Sequence, residues 1–185
     1  MKKLIAILAL SVMGSMGFAA EQVDLVAVQT TITRHLTGVI DWKVGQELNN
    51  KITLMGMEGT MNVSVASETD KGYWLNQDIS ILGQNMTSEA LISKEDGTII
   101  ELKVNGQKQT PPEPPEMEIV EMKNTDITVP AGKYACVYAK LKDLKTNQIT
   151  EAWLNQKEIP INNMLKMITS QQGMKLTSEL VSFKK

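Results

Sequence analysis

Two residues that often carry chemistry occur once each in this 185-residue chain, His35 and Cys136. A Ser-His or Cys-His mechanism needs an imidazole oriented by a third group and set beside the nucleophile. His35 stands next to Arg34, with no Gly-x-Ser-x-Gly elbow anywhere in the chain, and reads as a surface side chain. Zinc and copper centres combine several His and Cys ligands, so one of each leaves them without a ligand set. Cys136 reads as a small buried side chain within a strand. Carboxylates are the remaining chemistry: Glu113, Glu116, Glu118 and Glu121 crowd a proline-rich stretch, while Asp41, Asp78 and Glu151 lie near Trp42, Trp74 and Trp153. A glycosidase needs two such groups about 5–10 Å apart in a cleft. No spacing in the chain specifies that, and solvated charge is the simpler reading. A glycine-rich phosphate loop and an EF-hand loop are both missing, so the sequence predicts no enzyme, no cofactor and no metal.

What remains is apolar and aromatic, and the elements that must position it are strands. Ile52 and Leu54, then Met61, Val63 and Val65, then Tyr73, Leu75, Gln77 and Ile79 recur at spacing two, which places each set on one side of a strand. Asp96-Gly97 and Asn105-Gly106 accept the positive φ of tight hairpins, so local antiparallel pairing follows. Pro111, Pro112, Pro114 and Pro115 lack amide donors, which makes residues 109–116 a surface loop. Strand patterns resume at Met117–Met122, Asp126–Val129, Lys133–Lys142, Ile149–Leu154 and Met174–Phe183. In the third of these both sides are apolar, Ala135, Val137, Ala139 and Leu141 on one and Tyr134, Cys136 and Tyr138 on the other, as in a strand covered twice. Two helices are expected. One spans residues 22–39, where Val23, Val26, Val28, Ile32 and Leu36 approach helical spacing. The other lies between Pro160 and Gly173, where Met164, Leu165, Met167 and Ile168 make a helical stripe behind an Asn162 or Asn163 cap. That second helix would plug the sheet or act as a lid.

Residues 1–20 have the layout of a secretory signal peptide: Lys2 and Lys3, an apolar run from Leu4 to Met13, and small residues up to Ala19 and Ala20. The run is too short to span a bilayer, which takes about 20 apolar residues, and no later segment has that length and apolarity. No cysteine follows the cleavage site to carry a lipid. The periplasm is the expected compartment, with full secretion second. Residues 21–185 read as a single β-rich domain carrying a formal charge of −4, from 17 Lys and Arg against 21 Asp and Glu. Such a balance offers no attraction to nucleic acid or anionic lipid head groups. Arg34 is the only arginine, which disfavours phosphorylated ligands, since arginine is the usual bidentate anion clamp.

The run Val129-Pro130-Ala131-Gly132-Lys133-Tyr134-Ala135-Cys136, followed by Ala152-Trp153-Leu154-Asn155, Ile159-Pro160, Met164-Leu165-Lys166 and Glu179-Leu180, resembles a group of uncharacterised exported bacterial β-proteins. Their layout is similar to the half-barrel superfamily of lipoprotein localisation factors. The resemblance covers residues 42–185 by strand order and is sharpest over 129–180. It implies a strongly curved antiparallel sheet wrapped around a helical lid and an apolar cavity that receives acyl chains. Those carriers couple ligand binding to closure through an arginine in the sheet. Arg34 lies outside the matching strands, so that role is carried over to no residue here.

The sequence reading is therefore a mainly β fold, a half-barrel with a short amphipathic helix and an amino-terminal helix packed on it. Its expected function is non-enzymatic binding of a lipid, a lipoprotein acyl chain or another apolar ligand. Trp74, Tyr134, Tyr138, Trp153, Met164, Leu165 and Met167 are the candidate lining residues. The rival reading is an envelope interaction or scaffold module with a solid core, its proline loop presented to a protein partner.

Overall fold

The computed structural model describes Ile32, residues 40–171 and residues 174–185. The expected signal peptide lies outside the described residues. So does the amino-terminal helix over 22–39, apart from Ile32, which is fully buried in the core. Among the described residues there are eleven strands in chain order: β1 (Glu47–Leu54), β2 (Met57–Glu68), β3 (Gly72–Ile81), β4 (Gln84–Ser93), β5 (Ile99–Val104), β6 (Gln107–Gln109), β7 (Met117–Val129), β8 (Gly132–Asp143), β9 (Ile149–Leu154), β10 (Met164–Gln171) and β11 (Met174–Lys184). The period-two pattern is realised in β1, where Leu48, Asn50, Ile52 and Leu54 are buried and the residues between them are not. Asn105-Gly106 forms a tight turn with φ of 48° and 76°, as expected. Two further turns of the same kind, Met55-Gly56 and Leu82-Gly83, also have positive φ at both positions. Methionine and leucine are not turn formers, so these two left no dipeptide signal.

All strands belong to one antiparallel sheet of order β6-β5-β4-β3-β2-β1-β11-β10-β9-β8-β7, with β1 and β11 joining the two halves. In a flat sheet, ten spacings of about 4.8 Å would hold the edges β6 and β7 about 48 Å apart. They are consecutive in sequence, however, and the chain from Gln109 to Met117 reaches at most ~29 Å even when fully extended. The sheet is therefore curved rather than flat, and it is not closed. Since each neighbouring pair is antiparallel, β6 and β7 run in the same direction. Residues 110–116 form the strap that joins the two edges. Their prolines cannot donate into either edge, so the gap is bridged without being zipped into a closed barrel.

The expected helix between Pro160 and Gly173 is overturned: the segment is the strand β10, hydrogen-bonded to β9 and β11. The physical reason is a β-bulge. Met164 pairs with Leu154 and Lys166 with Trp153, leaving Leu165 as the extra residue. A bulge sets two consecutive residues against one partner residue. Met164 and Leu165 are both buried here, and strict alternation through Met167 and Thr169 then resumes. That spacing of i, i+1, i+3 imitates a helical stripe. Trp42 fastens the segment before β1 to the same region, its buried indole N–H donating to the Ile161 carbonyl at 2.6 Å. The Met117–Met122 and Asp126–Val129 patterns prove to be one strand, the 13-residue β7. Strand β8 is indeed used on both sides: Ala139 and Leu141 enter the core from one, and Cys136 from the other, near the hairpin tip that also buries Val129.

Candidate functional site

Beneath the open edge of the sheet, between β7, β8 and the turn after β9, lies a cavity of about 1050 Å³. Its apolar lining comes from Met122 of β7, Ala135, Cys136 and Val137 of β8, and Leu154 at the end of β9. Leu154 belongs to the core, whereas Met122 is 57% exposed, so the trough runs from the interior to solvent. Asn155 builds its far wall. The buried Asn155 carboxamide oxygen accepts from the amides of Lys157 and Glu158 at 3.0 and 2.9 Å. Its amide group donates to the Ala135 carbonyl at 3.0 Å, so one side chain both shapes the 155–158 turn and ties it to β8. Lys123, Asp126, Lys157 and Glu158 give the trough a charged rim. Burial first, and then the nearby Asp126 carboxylate, push the Cys136 thiol up. The raised thiol favours its protonated, uncharged form.

Two further concavities lie among the described residues, the first with Met61, Ile79, Met86 and Val181 in its wall and the second polar. One of about 810 Å³ crosses β1 to β4. There Asn62 donates to Asn49 at 2.7 Å, and Asn49 donates to Ser182 at 3.2 Å. The other, of about 440 Å³, lies around Asp41, Gln46 and Lys157. Among the described residues no group of three or more His, Cys, Asp or Glu could hold a metal ion.

The structure distributes the residues singled out from sequence over several places. Met164, Leu165 and Met167 are buried in the core cluster. Trp74 lies on the side of β3 opposite the buried Leu75, with the Lys103 ammonium 4.8 Å above its ring. Tyr134 sits near the tip of the β7–β8 hairpin and donates to the Ala131 carbonyl at 3.1 Å. Tyr138 and Trp153 are brought together, ring centroids 5.0 Å apart, as direct cross-strand partners. Met122, Val137 and Leu154 were not among the candidates. They come from three strands and share no local motif, so only pairing could reveal them.

Tyr138 offers a spectroscopic handle. Its hydroxyl donates to a Glu151 carboxylate oxygen at 3.0 Å. Burial, and then this hydrogen bond, push its phenol up to about 12. The unfolded phenol titrates near 10, so the folded state holds this proton more tightly. The resulting stability is fully present below pH ~10 and is lost as pH rises toward 12. An alkaline titration followed at 295 nm should show one late tyrosine near pH 12, absent in Tyr138→Phe. A wild-type titration without that late step would contradict the arrangement.

Comparison with known proteins places limits on identity. No family model matches the chain, and no curated protein matches it. Among solved structures, it is similar to a protein from Bacteroides fragilis NCTC 9343 described as exported and as having a YmcC-like fold, at 10% identity and a TM-score of 0.42, over 80% of this chain and 99% of that one. A protein from Parabacteroides distasonis ATCC 8503 described as a lipoprotein is similar at 11% identity and a TM-score of 0.38, over 78% and 97% of the two chains. MucB is similar at 9% identity and a TM-score of 0.45, over 91% of this chain and 58% of its own. At these identities and scores the likenesses assign neither family nor function, which must be argued from the site itself.

Proposed function

We propose that this is an exported, non-enzymatic binding protein that takes a lipid, a lipoprotein acyl chain or another apolar ligand into the trough beneath β7. The observation that carries the reading is the trough itself: about 1050 Å³, walled by Met122, Val137, Cys136 and Leu154, and continuous with the core. Ligand sites are concavities of roughly 300–1,000 Å³ lined mainly by apolar groups, with a few polar groups for orientation. An apolar tail would lie against Val137 and Leu154, and a polar head would meet the charged rim. Residues 1–20 support export, to the periplasm first and to the exterior second.

The test is uptake of a fluorescent acyl-chain probe by the exported protein, alongside native mass spectrometry of protein purified from its own envelope. Ala135→Glu places a carboxylate on the wall at an exposed position, so the fold should survive. Probe binding should weaken about tenfold or more, because an unpaired charge against an apolar ligand costs at least the ~1.4 kcal/mol that tenfold represents. A wild-type protein that takes up no probe and carries no acyl species would overturn the reading. The rival, an interaction module with a solid core, then leads, favoured by the packing of Met164, Leu165 and Met167 into the interior.

A further inference from the structure

We propose that β7 is a pairing edge for a second copy of this chain, with the two β7 strands antiparallel about Met122. The two edges of the sheet are built differently. Strand β6 has three residues and runs into the proline strap, a form that blocks strand addition. Strand β7 has 13 residues and, among the described residues, pairs with β8 alone. It exposes Ile119, Val120 and Met122, the last two to 54% and 57%. A long free edge with exposed apolar side chains is a template for another strand.

The charges on that edge select the occupant and its register. A twofold axis perpendicular to the sheet keeps the two sides of the sheet aligned, so each allowed register centres on a residue that faces itself. Of the registers centred on each residue from Val120 to Asp126, the one at Met122 sets unlike charges opposite each other without a like pair; centred on Glu121, Lys123 meets Glu118 across the bulge but Glu121 then faces itself. The Met122 register places Glu121 against Lys123 of the second copy, twice. Glu121 and Lys123 share one side of the sheet, opposite Lys140 and Tyr138 of β8, while Met122 shares the other side with the buried Ala139. Within one chain Glu121 and Lys123 already pair at 2.7 Å, and self-pairing would join two such pairs into a ring of four alternating charges. Glu118 and Asp126, a like-charge pair by simple counting, do not meet. The bulge between Ile119 and Glu121 leaves Glu118 on the side of Glu121 and Asp126 on the side of Met122. Met122 also lines the trough, so the second copy's Met122 would help close its open side.

Sedimentation velocity of the exported protein, from micromolar to millimolar and from low to high salt, is the deciding experiment. A monomer–dimer equilibrium that weakens as salt screens the ring is expected for the wild type. Glu121→Lys and Lys123→Glu should each lose dimerisation at least tenfold, since each makes the ring of four facing charges uniform in sign. An equimolar mixture of the two should dimerise again, as a heterodimer by native mass spectrometry, because two lysines at positions 121 and 123 of one copy then face two glutamates at those positions of the other. Rescue on mixing also shows that both variants fold. A wild type that remains monomeric at millimolar concentration, single variants that dimerise like wild type, or a mixture that stays monomeric would each overturn the proposal. The acyl-probe result with Ala135→Glu is independent of all three.

Discussion

Leu165→Ala is expected to lower the free energy of unfolding by about 2–5 kcal/mol, the range for truncating a fully buried leucine. Leu165 is 0% exposed and is the extra residue of the β10 bulge. The bulge sends it into the same cluster as Met164 and Met167. A bulge is anchored by its neighbours, here Leu154 and Trp153 of β9 and Glu179 of β11, so the strand cannot simply slide to fill the void. The cavity term therefore adds to the lost burial. A urea titration should show a lower midpoint with an unchanged slope. If stability instead stayed within about 0.5 kcal/mol of wild type while acyl-probe uptake fell, Leu165 would be a ligand contact, as its place in the sequence first suggested.

Gly72→Ala should cost about 1–3 kcal/mol or more, the scale of overpacking, although alanine adds only one methyl group. A Cβ at Gly72 would stand 2.0 Å from the Ile92 carbonyl oxygen and 2.7 Å from the Ile92 carbonyl carbon, both backbone atoms. No rotamer change relieves that overlap. Nor can Gly72 retreat, because its amide donates to the Thr69 hydroxyl at 3.1 Å and its carbonyl accepts from the Thr69 amide at 2.8 Å. The β3–β4 ladder, in register from Gly72–Ser93 to Ile81–Gln84, would have to splay at that end. Gly83→Ala is the internal comparison: it has φ of +72° and nothing within 4 Å of the added Cβ. Only the left-handed backbone is strained there, at about 1–2 kcal/mol. Thermal melts should rank Gly72→Ala as the more damaging. The reverse order would mean that the Gly72 backbone moves more freely than its hydrogen bonds imply.

The legible parts of this protein are the local ones. Period-two burial in Ile52 and Leu54 or in Met61, Val63 and Val65 follows from the pleat, which any strand imposes on its own residues. The Asn105-Gly106 turn and the exclusion of Pro111–Pro115 from a sheet follow from allowed φ and missing donors. From these the mainly β class and the antiparallel meander could be read directly. The Met55-Gly56 and Leu82-Gly83 turns could not, because their conformation is imposed by the paired strands on either side rather than by residue preference.

What sequence alone determined, then, is the β class, the positions of most strands other than β6 and β10, the proline loop and the residues able to make an apolar interior. Tertiary structure decided the rest. The bulge at Leu165 exists only because β9 and β11 hold the segment extended, and without those partners its apolar spacing is that of a helix. The trough joins Met122, Val137 and Leu154 from three strands, and the free edge of β7 arises because β6 and β7, consecutive in the chain, end on opposite edges of one curled sheet. Both depend on contacts between residues distant in sequence, whose pairing is set by the free energy of the whole sheet and leaves no periodicity in any local stretch of the chain.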